Sequence, residues 1–494
     1  MHKTLAKIYF WYFSINKYVL STPHRRNIDM ILSGIAAGHL SMVTFLLNGE
    51  VVNADVKPFD TLLTFLREVK RLTGTKEGCN EGDCGACSII VTDREGVTKS
   101  INSCTTLMPQ IHGKAVRTVE GISSPDDELH PIQTAMIKNH GSQCGYCTPG
   151  FITTLAAAHK NGDKDFEIQL AGNLCRCTGY GPILKSAEEI SEEAIPNWMQ
   201  ENLSLLKNIT SNVQVPQTIT ELANLYADNP TAKLVAGATD LSLEITKKLN
   251  TLNNLIFLSE CSELKRIKIK KHNINIGAAC TIADLIEPLS SIFPHFSKML
   301  LRYGGVQVRN SATIGGNIAN GSPIGDGSPA LIALNARLNL RKGKSTRSLP
   351  IEEFFIDYGV QDLGPAEFIE SIDIPQTSNV FKCYKVSKRF DQDISAVCGC
   401  FLIKIINNKV LECRIAFGGM AAIPKRAPQT EKVLLGSSWT IRNLNKAMVQ
   451  LKKDFSPIDD MRASSAYRLK IAQNLLLRLF HEQTDELLDT RDAE

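Results

Sequence analysis

The residues best equipped for chemistry are eight cysteines in two tight groups. The first holds Cys79, Cys84 and Cys87 in GCNEGDCGACS, with Cys104 in INSC. C-x4-C-x2-C with a fourth cysteine further along is the plant-type 2Fe–2S spacing. Three thiolates on one loop can wrap a cluster. Gly78, Gly82 and Gly85 let the backbone bend close, so that its N–H groups reach the sulfurs. Zinc is the competing reading, but structural zinc loops space a first pair closely and repeat that spacing in a second pair. The second group holds Cys144 and Cys147 in SQCGYCTPG, then Cys175 and Cys177 in NLCRCTGYGP. C-x2-C followed by C-x-C is less diagnostic, since a zinc knuckle or a redox pair reads similarly. Each pair, however, stands just ahead of a proline able to open a helix, Pro149 and Pro182. A helix N-terminus favours thiolate and an anionic cluster.

The elements that must hold these loops can be read from periodicity. MVTFLLNGEVVN (42–53) predicts two strands around Asn48-Gly49, a strong hairpin signal. Pro58 to Leu72 has helical spacing of Leu62, Leu63, Phe65, Leu66 and Val69. The cysteine loop follows, then the strand Ser88–Asp93. Hairpin, helix, cysteine loop and strand is the order of a plant-type ferredoxin fold. Residues 130–195 predict helices opened by Pro131, Pro149 and Pro182. The polar stretch from Glu192 to Gln214 reads as a linker. Beyond it, Thr218–Asn229 predicts a capped amphipathic helix, and Lys233–Leu241 a buried strand entering a glycine turn. Strands are expected in AVCGCFLIKI and CRIAFGGM, and a last helix over Ser464–Phe480.

Composition bounds the class. The chain has 494 residues, 43% hydrophobic and 21% charged, enough for three or four globular domains. Net charge is +4, and it sits in residues 1–41, where Lys3, Lys7, Lys17, Arg25 and Arg26 face Asp29 alone. The neutral remainder offers no field for nucleic acid or an anionic membrane. The aromatic run Ile8–Phe13 is far shorter than the ~18 apolar residues of a membrane span. It is also shorter than a secretory h-region. The expectation is an extension that is disordered, or that precedes the true start. Without a secretory signal, clustered cysteines point to metal rather than disulfides. Cys261, Cys280, Cys383, Cys398, Cys400 and Cys413 lie mostly in apolar stretches and read as small buried hydrophobes.

Two glycine-rich motifs complete the inventory. LVAGATDL (234–241) is strand, glycine turn and polar tip. ATIGGNIANGSPIGD (312–326) is a turn whose N–H groups at Gly315, Gly316 and Asn317 can point at phosphate oxygens. By themselves these also read as simple turns. No G-x-G-x-x-G follows a strand, so a Rossmann site is not expected.

GCNEGDCGACS, QCGYCTPGF and AGNLCRCTGYGPI resemble the iron–sulfur part of the xanthine dehydrogenase and aldehyde oxidase family, the molybdenum hydroxylases. The likeness runs over about residues 42–490, with both cysteine groups and both glycine motifs in the family's order. It is strongest to bacterial members whose iron–sulfur and FAD modules form a separate small subunit. The resemblance implies an α+β multidomain chain: a β-grasp, plant-type ferredoxin domain (42–125), a helical 2Fe–2S domain (126–195) and a linker (196–214). After these come a two-part α+β FAD-binding domain of PCMH type, non-Rossmann (215–378), and an α+β domain like the carbon monoxide dehydrogenase flavoprotein C-terminus (379–494).

By the same resemblance, Cys79, Cys84, Cys87 and Cys104 would hold one 2Fe–2S cluster, and Cys144, Cys147, Cys175 and Cys177 the other. FAD would contact Leu234, Val235, Ala236, Gly237, Ala238, Thr239, Asp240 and Leu241, then Thr313, Ile314, Gly315, Gly316, Asn317 and Asp326. Tyr303, Ile369 and Lys385 match further flavin contacts by spacing. Tyr358 matches an aromatic near the nicotinamide site. Lys388–Asp393 matches a loop beside the flavin that governs the choice of NAD or oxygen, with Phe390 where relatives can carry arginine. Nothing after the flavin module remains for molybdenum, so a molybdopterin-binding large subunit is implied as partner, in an α2β2 heterotetramer. NAD is the implied acceptor, the location cytoplasmic, and no acid–base pair in this chain is expected to be catalytic. The cofactors carry the chemistry, while the protein positions and tunes them.

Overall fold

The structure, a computed structural model, describes residues 41–209 and 215–484. The expectations for residues 1–40 therefore lie outside the described residues.

The hairpin forms as the sequence predicts. Ser41–Leu47 pairs antiparallel with Glu50–Val56. Asn48 and Gly49 both take positive φ, 50° and 91°, as a two-residue turn of this hand requires. These strands join Ala115–Arg117, Ser88–Thr92 and Thr98–Asn102 in one sheet, ordered second hairpin strand, first hairpin strand, 115–117, 88–92, 98–102. The first strand runs parallel to Ala115–Arg117, and the other pairs are antiparallel. Val43, Phe45, Leu62, Leu66, Ile89 and Val116 form its core. The helix expected from Pro58 to Leu72 is shorter than its periodicity implies, and its second turn is wider. One α-turn, Leu62–Thr64, passes into a π-turn, Phe65–Val69, in which Lys70 N–H reaches back to Phe65 O at 3.0 Å. The widened turn still buries Phe65 and Leu66.

Helices Pro131–Lys138, Thr148–Asn161, Phe166–Leu170 and Gly181–Glu189 follow. Pro131, Pro149 and Pro182 stand at the first turns of three of them, where the missing N–H costs nothing. Their apolar faces meet at Phe151, Leu155, Ile183 and Ile190.

The described part of the stretch expected as a linker, residues 196–209, is fastened to the iron–sulfur modules. Met199 and Leu206 are fully buried, and Leu206 packs on Leu46 and Ala115 of the first sheet. Trp198 Nε1 donates to Ile122 O at 3.0 Å, and Arg117 pairs with Glu201. Its polar composition hid apolar anchors at irregular spacing, which no single helical or strand period reveals.

After residue 215, Ile219–Asp228 is a helix capped by Thr218, whose hydroxyl accepts from Glu221 N–H at 3.1 Å. A parallel pair, Lys233–Val235 with Leu255–Phe257, carries the first glycine motif. A five-stranded antiparallel sheet is ordered 345–350, 337–342, 368–375, 273–277, 267–270. The last sheet, ordered 380–386, 397–406, 409–418 and 425–426, is covered by Ile441–Asp454 and Ser465–Thr484. Phe381, Cys383, Cys398, Cys400 and Leu402 pack in one core with Phe293, Met299 and Ile314, so these two sheets share a hydrophobic interior. All six scattered cysteines are buried, as expected for small hydrophobes. No helix among the described residues is long and apolar enough to cross a membrane.

Candidate metal centres and cofactor cavity

The first cysteine loop, 78–87, curls between the π-turn and the strand from Ser88, and Cys104 reaches it from a 3-10 turn at Ser103–Thr105. Cys87 and Cys104 are buried with their sulfurs 3.3 Å apart. The N–H groups of Asp83 and Cys84 point at Cys79 Sγ at 3.2 and 3.3 Å, and Cys79 N–H points at Cys84 Sγ at 3.3 Å. The thiols thus come in two pairs, 79 with 84 and 87 with 104. A hydrogen bond from the Cys84 thiol, helped by three backbone N–H groups, outweighs burial and draws Cys79 down to about 5. The same bond, with burial, pushes Cys84 up. Cys87 is lowered by Cys104, and Cys104 is raised well above a free thiol by the same contact.

The second set pairs likewise. Cys144 is lowered by Tyr146 N–H and then by the Cys177 thiol, which is itself raised. Burial, then Cys175, pushes Cys147 up to about 12. Burial opposes ionisation of Cys175, but hydrogen bonds from Thr178 and from backbone outweigh it, and its pKa falls. Cys147 is the N-cap of the helix Thr148–Asn161, and Tyr180, just past the C-x-C pair, is that of Gly181–Glu189. Each cysteine pair therefore stands at or just ahead of a helix N-terminus. Among the described residues no three metal-ligating groups gather around one point; the thiols converge two at a time. Paired thiolates suit a dinuclear cluster, in which each iron takes two cysteines and shares two sulfides. The donor set and the N–H groups aimed at sulfur fit 2Fe–2S at both places.

Between the glycine motifs lies a cavity of about 970 Å³. Leu234 through Leu241, Tyr303, Thr313, Gly316, Asn317, Asp326 and Lys385 line it, all expected flavin contacts. Ile314, Gly315 and Ile369, also expected, do not. Ile314 is buried in the sheet core, and Gly315 is pressed on Ala278, whose carbonyl lies 2.6 Å from where a side chain would begin. Ile369 stands opposite Leu340 inside the five-stranded sheet. Strand alternation turns its side chain into the core, which spacing from a motif could not show.

The phosphate reading of the second motif also needs correction. Gly315 N–H donates to Ala278 O at 2.9 Å, Gly316 N–H to Thr313 Oγ1 at 3.1 Å, and Asn317 N–H to Thr313 O at 2.9 Å. These three donors are spent inside the chain. What this motif contributes is room, at Gly316, and an acceptor: Asn317 Nδ2 donates to Tyr303 Oη at 3.0 Å, leaving Asn317 Oδ1 buried without a partner. Donors for a phosphate lie instead in the first motif. Among the described residues, the N–H groups of Gly237 through Asp240 reach no chain acceptor, and Ala238 holds φ at 58°. A left-handed residue within such a turn directs successive N–H groups to one side, a ready anion nest. Gly237 is required there, since a Cβ would lie 1.9 Å from Ser311 O. The cavity, the nest and the orphaned amide oxygen fit a large, anionic, polar-edged cofactor such as FAD.

Lys385 and Asp326 form a buried ion pair at 2.5 Å in the wall, and Ser395 Oγ donates to the same carboxylate at 2.5 Å. Burial raises the Tyr303 phenol far above its usual range. Tyr358 is exposed at the turn between Phe355–Asp357 and Val360–Gln361, and does not line the cavity. The loop 388–393 is pinned by Arg302, whose guanidinium stacks 4.3 Å from the Phe390 ring and donates to Phe390 O at 2.7 Å.

The resemblance implies that the first cysteine group lies nearer the flavin, but sequence reasoning named none of the residues that form one wall of the cavity. Glu81, Gly82, Asp83 and Thr105, from the first cysteine group, line the same cavity as the flavin motifs. Lys247 bonds to Cys79 O and Gln392 to Asp83 O, so both sides of the flavin module grip the cysteine loop. Nothing in a local motif says which distant loop will face it.

Four family models match in sequence: "2Fe-2S iron-sulfur cluster binding domain" at 45–109, "[2Fe-2S] binding domain" at 118–188, "FAD binding domain in molybdopterin dehydrogenase" at 208–377 and "CO dehydrogenase flavoprotein C-terminal domain" at 382–483. Xanthine dehydrogenase of Emericella nidulans is 31% identical, over 95% of this chain and 41% of that protein. That of Drosophila subobscura is 32% identical, over 80% of this chain and 36% of its own. The chain thus spans little more than a third of these relatives. A solved chain of carbon monoxide dehydrogenase from Hydrogenophaga pseudoflava aligns over 53% of this chain and 93% of its own, with TM-score 0.51 and 25% identity. One of quinoline 2-oxidoreductase from Pseudomonas putida 86 shares the fold, with TM-score 0.51 and 21% identity.

Proposed function

Because this chain belongs to the molybdenum hydroxylase family, of which it carries both 2Fe–2S domains and the FAD-binding domain, we propose that it is the electron-transfer subunit of a xanthine dehydrogenase. In this reading a molybdopterin-binding large subunit, joined with it in a cytoplasmic α2β2 heterotetramer, oxidises hypoxanthine or xanthine, and NAD receives the electrons. The bound groups would supply one-electron transfer at iron and two-electron hydride chemistry at the flavin.

This chain's residues hold and order the relay. Cys144 and Cys177 are exposed, where a partner subunit can approach the second cluster. Cys79, Cys84, Cys87 and Cys104 would hold the inner cluster, on the loop that lines the flavin cavity. That shared wall is the observation that carries the proposal, because it gives electrons a short exit from the first cysteine group. Within the cavity, the amides of residues 237–240 would bind the pyrophosphate, and Tyr303, Asn317 and Lys385 would shape the remaining wall. The domain divisions are proposed at 42–125, 126–195, 215–378 and 379–494.

The test is the purified full chain. Iron, acid-labile sulfide and flavin should be present at four, four and one per chain, the ratio two 2Fe–2S clusters and one FAD require. NADH added without oxygen should bleach the flavin band. A colourless protein containing zinc and no sulfide would end the reading and leave a non-catalytic metal-binding carrier or scaffold.

One further reading is the same subunit of another molybdenum hydroxylase, acting on an aldehyde, nicotinate or an aromatic acyl substrate, since the iron–sulfur and FAD-binding domains are matched as those of the family at large. Substrate contacts would lie on the partner, so the co-purified large subunit assayed with xanthine against these alternatives decides between them.

A further inference from the structure

Gln307 is 1% exposed, on the four-residue helix Val306–Arg309 beside the cofactor cavity. Its Nε2 lies 2.8 Å from Asn173 Oδ1, 3.0 Å from Thr154 Oγ1 and 3.2 Å from Ser88 Oγ. The first two acceptors belong to the helical 2Fe–2S module, and the third to the ferredoxin module. An amide NH2 has two hydrogens, so the three acceptors share them. Gln307 Oε1 has no partner. One side chain of the flavin module therefore reaches into both iron–sulfur modules at once.

What it touches lies against the cysteine loops. Asn173 Nδ2 donates to Gly85 O at 3.1 Å, and Gly85 stands between Cys84 and Cys87. Leu174 N–H donates to Cys84 O at 3.0 Å, and the next residue is Cys175. One backbone hydrogen bond thus joins the two cysteine groups.

Around Gln307 the backbones meet without side chains between them. A Cβ on Gly85 would lie 2.3 Å from Gly172 O, and one on Gly150 2.3 Å from Gly85 O. One on Gly305 would lie 2.4 Å from Gly172 Cα, and one on Gly172 2.1 Å from Gln307 Oε1. Four glycines from three modules interlock, and the buried amide is the polar pin through them. Such a junction can shift only by breaking hydrogen bonds that no water replaces.

We infer that Gln307 is a positioning residue that fixes the separation and mutual orientation of the two cysteine loops, and so of the clusters they hold. The inference rests on the proposed assignment of those cysteines to two clusters. Gln307 touches no thiol itself. It acts through Asn173 and Gly85, and loosening it displaces Cys84 and Cys175 relative to each other.

The experiment compares full-length parent, Gln307→Ala and Gln307→Glu, the last keeping the shape but not the donors. Amide hydrogen exchange is read by mass spectrometry on peptides covering 84–90 and 170–176, with 397–406 as a distant control. In both variants the Leu174 amide should exchange roughly ten- to a hundredfold faster, the factor expected for losing one or two buried hydrogen bonds. The control peptide should not change. In the fully reduced protein, the magnetic splitting between clusters seen by electron paramagnetic resonance should shrink or broaden. Thr154→Val, which removes one acceptor, should give a smaller change in the same direction and serves if the Gln307 variants do not fold.

Unchanged exchange at 170–176 with unchanged splitting would overturn the inference. A uniform rise that includes 397–406 would overturn it too, as ordinary destabilisation. Parent protein without iron would sink the proposed function and leave the exchange arm to judge the junction alone.

Discussion

Lys385 Nζ sits 2.5 Å from Asp326 Oδ2, and both side chains are buried in the cavity wall. Lys385 is on the strand Val380–Val386, while Asp326 directly precedes the helix Gly327–Ala333, so the pair ties the last sheet to the second glycine motif. Breaking one side of such a pair strands a charge away from water. Lys385→Met should cost about 3–5 kcal/mol. Lys385→Met with Asp326→Asn should recover part of that, since no unpaired charge remains. Urea midpoints by circular dichroism measure both. A single variant as stable as the parent would show that the pair is solvated in solution.

Gly316 and Gly237 should fail differently. A Cβ at Gly316 meets only Thr313 Oγ1, at 2.8 Å, and a larger side chain continues into the cavity. Gly316→Val should therefore lose FAD while keeping iron and fold. A Cβ at Gly237 would lie 1.9 Å from Ser311 O, which is backbone and cannot yield. Gly237→Ala should lower the melting temperature as well as the flavin content. Flavin absorbance against iron content, with thermal scans, separates the two. Full flavin occupancy in Gly316→Val would remove the glycine from the site.

The two cysteine groups should be separable by mutation. Cys84→Ser should abolish one 2Fe–2S signal in electron paramagnetic resonance and leave the other, and Cys144→Ser should do the reverse. The thiol pairs are 79 with 84 and 87 with 104 in one group, and 144 with 177 and 147 with 175 in the other. No pair crosses between groups, so loss of both signals from either variant would show the ligand sets to be wrongly drawn.

Acid should loosen the helical module through His130. The ring is buried, accepts from Ile132 N–H at 3.2 Å and meets His159 edge-on at 5.3 Å. Burial, then the neighbouring His159, lowers its pKa from 6.5 to about 3. The folded value lies below the unfolded one, so the unfolded chain takes up the proton first. This contribution to stability is fully present above pH ~6.5 and is lost as pH falls towards 3, by at most about 5 kcal/mol. His130→Asn keeps an acceptor for Ile132 N–H but cannot titrate. Between pH 7 and 5 its denaturation midpoint should fall less than the parent's, and equal slopes would exclude His130 as the source.

Local patterns carried a large share of the answer. The Asn48-Gly49 turn, the prolines opening three helices and the Thr218 cap each depend on a few neighbouring residues, whose own backbone preferences settle the outcome. The cysteine spacings belong to the same class, because three thiols on one loop are positioned by that loop. Where the reading went astray, the deciding partner was remote. Ile369 was turned inward by Leu340 across a sheet, Met199 was claimed by the helical module and Leu206 by the ferredoxin module, and Gly315 N–H was taken by Ala278 O.

By itself, then, the sequence determined which residues bring sulfur and which turns leave space, because ligand identity and turn conformation are short-range properties. The tertiary structure decided that Glu81, Gly82, Asp83 and Thr105 would share a cavity with Gly237 and Gly316, and that Gln307 would pin Asn173 and Ser88 together. Those meetings join residues more than a hundred positions apart. They follow from how whole buried faces close against one another, a property that no window along the chain contains.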